Sequence, residues 1–487
     1  VSALDEAAFL GTRLDFSAIQ LTRLSAYYRG LPTGLQFVAP EIVALTAGRV
    51  RPLQINFSRV VVDAFAERLE VAGFRIPNAP DSDPDTGLWS LWTSCGLDAS
   101  SPLAHTDALL YGSAFALAWA DEYGDPAISV ESALTMAVRR DPVTRQPISA
   151  FKRWRDPVDN VGRGIVFGPD VVSTLITTSP MPFGAAFPAT GAGWAVSSTL
   201  PNPLGVVPVV GLVNRPSLGT AGMLSYEAAP IGADGESELV DVLPICDAIV
   251  KLSSDLMVSS ETASMPRRWA VGLQLPEAVD PISGELTGDI DPDADLSAVS
   301  GRTWIAESST AKFGQFPVAD LSGYLDAIRA LIEILAGVTG IPSSYFGGGG
   351  GQAARVTSAD ALRASETSMV RRAVRKQVIF GAAWGRVMAL AVAIRDGSPV
   401  GPAPETVWQS AETMSEASTS DSAAKLGALG VPLDVIASKV LGWSPEDIAD
   451  LRASQRSAAL LSAGTSLAPL LPAAVPPAAP VAPQALT

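Results

Sequence analysis

The sequence predicts an α+β protein, and three stretches predict it. One is a helical pattern from Thr357 to Gly397, the longest in the chain. The second is a series of period-two segments between residues 108 and 215, which reads as an antiparallel sheet region. The third is a pair of helical patterns, 236–262 and 321–337, with a short strand-rich insertion between them.

The long pattern opens with Thr357 and Asp360 as a start signal and closes at Arg395, Asp396 and Gly397. Leu362, Met369, Ala373, Phe380, Trp384, Val387, Ala391 and Ile394 recur on one face of a helix about 57 Å long. Its first half is charged on the other face, through Arg363, Glu366, Arg371, Arg372, Arg375 and Lys376. From Val378 to Ile394 the helix is apolar or small nearly all round, which calls for burial on several sides, by its own chain or by other copies.

Taken in order, residues 2–30 hold two short helical patterns, and a loop rich in Pro and Gly follows through Pro40. Asn56 caps an amphipathic helix expected to run to Ala72, with Val60, Val61, Ala64, Phe65 and Leu69 on its apolar face. A further short helix covers Pro102 to Tyr111. The strands that follow are centred on Phe115–Trp119, Ile128–Val130, Phe151–Arg155, Ile165–Phe167, Val171–Thr177 and Val206–Val213, with Asp141, Pro142 and Pro147 marking a turn.

In the second half, Glu236, Glu238 and Asp241 favour the start of a helix, and Pro244 marks a kink or the true first turn. The insertion contains Trp269–Leu273, an acidic turn-rich loop from Asp280 to Asp295, and Arg302–Ala306. After Gly397 come a loop and weaker helical pieces near 420–429, 432–441 and 444–461. The end, from about Pro469, is Ala, Pro and Val and is expected to be a disordered tail.

A chain of 487 residues and 50.4 kDa suggests roughly two to four domains. Its net charge of −16 and pI near 4.6 argue against a surface that grips nucleic-acid phosphates throughout. Cys95 and Cys246 lie far apart with no CxxC, so a disulfide framework or cysteine zinc site is not expected and a reducing compartment fits. The first ten residues lack the basic start of a signal peptide, and neither apolar run, 108–120 or 378–394, makes a good membrane span.

Most catalytic constellations are short of parts. His105 is the single histidine and reads as a capping or surface residue. GxSxG and GxxxxGK[ST] motifs do not occur. Gly347 to Gly351 lead towards a helix without the lysine of a phosphate loop, so a hinge or loop is the expected role. Asp289, Asp291, Asp293 and Asp295 alternate like a calcium loop, but Ala294 and Ser300 stand where Gly and Glu are needed; a solvated acidic turn is expected. No catalytic residue, metal or cofactor is expected, and a carboxylate hydrolase using Asp289 and Asp291 is the weaker alternative.

Residues 236–395 resemble the portal proteins of tailed bacteriophages, in particular the actinobacteriophage group. The likeness is carried by Ser264, Met265, Pro266, Arg267, Arg268, Trp269, Ala270, Val271 and Gly272, and by SADALRASETSMVRRAVRKQVIFGAAWGRVMALA from Ser358. NFSRVVVDAFAERLEVAGFRI and ALLYGSAFALAWAD in the N-terminal part look like that group too, so it covers most of the chain up to about residue 395.

The resemblance implies a portal-type fold: a wing of helices and antiparallel sheet (1–235), stem helices (236–264 and 321–345) and a small strand-rich clip (265–320). It also implies a tunnel loop (346–356), the long wing helix (357–397), a helical crown (398–461) and the tail (462–487). Gly347, Gly348, Gly349, Gly350, Gly351, Gln352 and Arg355 would belong to the tunnel loop. Arg267, Arg268, Trp269, Asp289, Asp291, Asp293, Arg302 and Trp304 would sit in the clip that meets motor and neck. Phe380, Trp384, Val387 and Met388 would face a neighbouring subunit.

As a portal the chain would form a ring, typically of twelve, at a capsid vertex of the virion, after assembly in the host cytoplasm. Double-stranded DNA would pass through it during packaging and ejection. Its partners would be the terminase large subunit, which hydrolyses ATP, a neck or adaptor protein, the major capsid protein and a scaffold, with no membrane. Another virion component, a capsid or adaptor protein, is the alternative.

Overall fold

The structure is a computed structural model and describes residues 2–31, 55–77, 85–189, 191–216, 235–264, 268–271, 277–279, 286–290, 312–315, 320–347, 359–412, 416–443 and 445–467. It forms two compact units, one from Val1–Thr33, Asn56–Leu243 and Leu335–Thr487, the other from Gly34–Ile55 and Pro244–Ile334.

The first unit opens with α1 (Ala3–Arg29), one helix of 27 residues where two short ones were expected. Ser2 and Asp5 form a reciprocal capping box at its start, and Gly30 ends it in the left-handed conformation. Helix α2 (Phe57–Ala66) is capped by Asn56, as the sequence predicts, but stops six residues short of Ala72. Leu69 and Ala72 fit the apolar stripe of a helix, yet β1 (Val71–Arg75) begins there because it pairs with a strand from the far end of the chain. Helices α3 (Thr86–Ser94) and α4 (Leu97–Tyr111) follow, the second starting five residues before Pro102.

Eight strands come next: β2 (Ser113–Ala120), β3 (Pro126–Ser132), β4 (Met136–Arg140), β5 (Pro147–Asp156), β6 (Val161–Phe167), β7 (Val171–Thr177), β8 (Trp194–Pro201) and β9 (Val209–Val213). They make an antiparallel meander, β4-β5-β6-β7-β8, and a three-stranded sheet, β3-β2-β9. The antiparallel region is where the period-two pattern placed it, with β4 and β8 added.

Strand alternation sorts the meander into two buried faces. Ala137, Phe151, Val166, Leu175 and Trp194 meet Ala7, Leu10 and Leu14 of α1. Met136, Val138, Ala150, Phe167 and Val172 meet Phe115 of β2 with Val207 and Val209. Polar anchors fix α1 in place. Buried Glu6 accepts from Arg139 at 2.5 Å and Ser149 at 2.7 Å, and Arg153 pairs with Asp15.

In the second unit, α5 (Leu243–Ser264) starts at Leu243, so Pro244 lies in its first turn, where a missing N–H costs no helical bond. Residues 238–242 form turns rather than the helix expected from Glu236. Two antiparallel pairs follow: β10 (Arg268–Val271) with β13 (Lys312–Gln315), and β11 (Glu277–Val279) with β12 (Leu286–Ile290). Helix α6 (Ser322–Thr339) returns the chain, and the Ser259 hydroxyl donates to Tyr324 at 3.4 Å, setting the end of α5 beside the start of α6.

Back in the first unit, α7 (Ala359–Asp396) is a single helix of 38 residues, about 57 Å at 1.5 Å per residue. Its most apolar stretch is mostly buried, as in a core helix. Strand β14 (Glu405–Trp408) then pairs with β1, and α8 (Glu416–Ala428), α9 (Leu433–Ile436) and α10 (Pro445–Leu467) follow. After Gly397 a loop and then weaker helical pieces were expected. Part of that loop is instead strand β14, which completes a sheet with the N-terminal part of the chain. The expected tail lies largely outside the described residues.

Candidate functional site at the long helix

The second half of α7 is enclosed by its own chain. Phe380, Trp384, Val387 and Met388 are fully buried. Trp384 meets Trp92 edge to face at 5.0 Å, and Phe380 stacks on His105 at 5.7 Å. These four side chains therefore have no surface left for a neighbouring subunit, which corrects the role the resemblance implied for them. The physical reason is that α3 through Trp92, α4 through His105, β14 and the three-stranded sheet already cover that face.

Gly381 and Gly385 make the enclosure possible. A Cβ on Gly385 would lie 2.3 Å from the Pro404 carbonyl oxygen, and one on Gly381 would lie 2.9 Å from Trp408 Nε1. Two bare positions four residues apart let the segment 404–408 cross directly on the helix backbone. The Thr406 hydroxyl seals the crossing by donating to the Gly381 carbonyl at 2.9 Å.

His105 is neither a cap nor a surface residue. It is fully buried, and its Nε2 accepts from Trp384 Nε1 at 2.8 Å. Burial pushes its pKa down to about 3, opposed in part by the Leu69 backbone, so it is a neutral core base.

The basic group of α7 divides into two pairs. Lys376 is buried; its Nζ donates to Asn214 Oδ1 at 2.7 Å and pairs with Glu238, and it lies 5.2 Å from the centre of the Phe65 ring. Burial lowers its pKa, while Glu238 opposes the shift. Arg372 donates to the carbonyls of Val338 at 3.0 Å and Thr339 at 2.5 Å, closing the last turn of α6. Arg371 and Arg375 are exposed. Two of the four cations are thus structural, and a charged stripe in the sequence cannot reveal which.

The foot of the glycine run is pinned. Phe346 is buried and meets Phe57 edge to face at 5.5 Å. Tyr345 donates to Glu366 at 2.9 Å, and Arg68 donates to both, at 3.0 Å and 3.3 Å. Desolvation, then the bond to Glu366, raises the Tyr345 pKa. Gly347 takes a left-handed φ of 71° just beyond. Gly348, Gly349, Gly350, Gly351, Gln352 and Arg355 lie outside the described residues. Sequence reasoning missed Arg68, Tyr345 and Glu366, whose only signal was polarity at scattered positions.

Of the expected clip residues, Arg268 and Trp269 are in β10 and Asp289 is in β12. The stretch 286–290 is therefore paired strand, which corrects the acidic turn expected over 280–295; hydrogen bonding to β11 claims its backbone. Arg267, Asp291, Asp293, Arg302 and Trp304 lie outside the described residues.

The helix, strand-insertion, helix, glycine-run, long-helix order can now be set beside known proteins. Residues 44–459 match the family model described as phage portal protein, SPP1 Gp6-like. The chain belongs to this phage portal family. The portal protein of Mycobacterium phage L5 is 29% identical over 470 residues, covering 91% of this chain and 89% of that protein. The portal protein of Mycobacterium phage D29 is 29% identical over 449 residues, covering 87% and 84%.

Among solved structures, a chain from the neck of an empty GTA particle computed with C6 symmetry matches at a TM-score of 0.42 and 13% identity, covering 80% of this chain and 90% of that one. A chain from the neck of a native GTA particle computed with C12 symmetry matches at 0.41 and 14%, covering 84% and 95%. Portal proteins are head-to-tail connectors of bacteriophages, structural rather than enzymatic. The buried polar groups along α7 accordingly hold this portal chain together rather than perform chemistry.

Proposed function

We propose that copies of this portal chain close into a twelve-membered ring at one capsid vertex, and that double-stranded DNA passes through its bore in both directions. The observation that carries this reading is the order of elements. Helices α5 and α6 flank two antiparallel strand pairs, and a pinned foot leads through the glycine run into a 38-residue helix. In this reading α5 and α6 are the stem, residues 265–320 the clip and residues 346–356 the tunnel loop. The wing is residues 1–235 with α7, and the crown is the helical part from α8 to α10.

The charge suits a passage rather than a grip. Each phosphate contact on duplex DNA releases counterions and adds affinity, so a bore lined with cations would hold its cargo. A chain of net charge −16 avoids that, and two of the four cations in the basic group of α7 are spent on a buried pair and a helix end. The clip would dock the terminase large subunit during packaging and a neck protein afterwards, while the outer wing would meet the major capsid protein and a scaffold. Assembly would take place in the host cytoplasm.

Electron microscopy of the purified full-length chain, with native mass spectrometry, tests the reading. The expected result is a ring with an axial channel and a narrow protrusion at one end. Compact particles without a bore would overturn it, and a bored ring without the protrusion would favour another virion component.

A further inference from the structure

Helix α1 has a second face that is exposed among the described residues. Ala7, Leu10, Leu14, Leu21 and Leu24 point inward and are buried, whereas Phe9, Phe16 and Ile19 are 53%, 67% and 83% exposed. Spacings of seven and three residues put those three on one stripe, the geometry of a helix seam that packs against something. Three large apolar side chains in line on one helix form a patch rather than scattered surface residues.

The same unit carries an apolar cleft of about 680 Å³ between β9 and α7, with Val206, Val210, Ala382, Leu390, Arg140 and Arg386 among its lining. Strand alternation puts this cleft on the other side of the five-stranded sheet. Ala137 and Arg139 of β4 face α1, while Val138 and Arg140 face away from it. Charge is complementary as well. Asp5 is exposed on the same stripe, one helical turn before Phe9, and its charge is opposite to that of the two arginines of the cleft.

Resting on the ring reading above, we propose that the Phe9, Phe16 and Ile19 stripe of one copy seats in the β9 and α7 cleft of the next. Ridge and cleft are different surfaces on opposite sides of one sheet. Joining them is a heterologous, head-to-tail contact, the kind that closes a ring, whereas a two-fold dimer uses one patch twice. Phe16 and Ile19 supply apolar area to the cleft, and Asp5 approaches Arg386.

The test uses the full-length chain with Phe16→Cys and Ala382→Cys together, both at exposed positions, treated with a short bismaleimide. The expected result is a ladder of covalent multimers reaching the ring number, absent from either single variant. In parallel, Phe16→Asp with Ile19→Asp moves the concentration midpoint of ring assembly up by about tenfold or more. Circular dichroism should stay unchanged, since neither side chain is in the core.

Rings of the double-cysteine variant that give no ladder, together with assembly that Phe16→Asp with Ile19→Asp does not alter, would overturn this contact and leave the ring reading standing. A ladder that stops at dimers would also overturn it, in favour of a two-fold contact. Wild-type protein that never forms rings would overturn the ring reading itself, and this contact with it.

Discussion

His105 and Trp384 come from distant parts of the chain and share one hydrogen bond in the driest part of the first unit. Trp384→Phe keeps the ring but removes the donor, leaving Nε2 buried and unpaired, and should cost about 1–3 kcal/mol in urea unfolding. The histidine also makes stability depend on pH. Unfolded, it binds a proton near 6.5; folded, it resists until about 3. Between those values the unfolded chain holds more protons, so stability falls as the pH falls, by up to about 1.4 kcal/mol per unit. The advantage of wild type over His105→Gln should therefore be constant above pH 6.5 and shrink below it, as denaturation at a series of pH values will read. Lys376 gives a second test at this scale. Glu238→Ala strands a buried cation and should cost about 3–5 kcal/mol, whereas Lys376→Met combined with Glu238→Leu should recover much of the loss.

At the scale of elements, the end of α6 and the middle of α7 are tied by Arg372. Its guanidinium meets two carbonyls that the helix itself cannot satisfy, and Gly340 turns the chain there with a φ of 73°. Arg372→Ala should destabilise by about 0.5–1.5 kcal/mol. Gly340→Ala should cost more, because its Cβ would sit 2.8 Å from Ser368 Oγ in a backbone conformation that L residues avoid. Thermal melts of the two variants will rank them. The ends of α7 were legible in the sequence to within two residues, because start signals and apolar period are local. The break of α2 at Ala66 was not legible, because the competing strand partner lies near residue 408.

On the scale of the whole molecule, the chain is a portal subunit whose proposed work is to surround DNA without holding it. If so, the assembled particle should show a bore in averaged images. The proposed seam between copies then lies on α1 and the β9 and α7 cleft, not on the apolar half of α7. The sequence named that half as needing neighbours, and its neighbours proved to be α3, α4, β14 and the three-stranded sheet of the same chain. A stripe pattern counts apolar positions without saying who covers them. Gly381 and Gly385, four apart in the helix, were the sign that a backbone crosses there.

By itself the sequence determined the α+β class, the antiparallel region, the long helix with its boundaries, the Asn56 cap and, through its resemblance, the portal family. These follow from periodicity and capping within a few turns of chain, and from extended phrases of residues. Only the tertiary structure decided that His105 is a neutral core base, that Lys376 and Arg372 hold the fold, that β14 completes a sheet with β1, and which face of α1 stays open. Each of those depends on what a distant segment places against a side chain, and burial and pairing across such distances leave no local pattern.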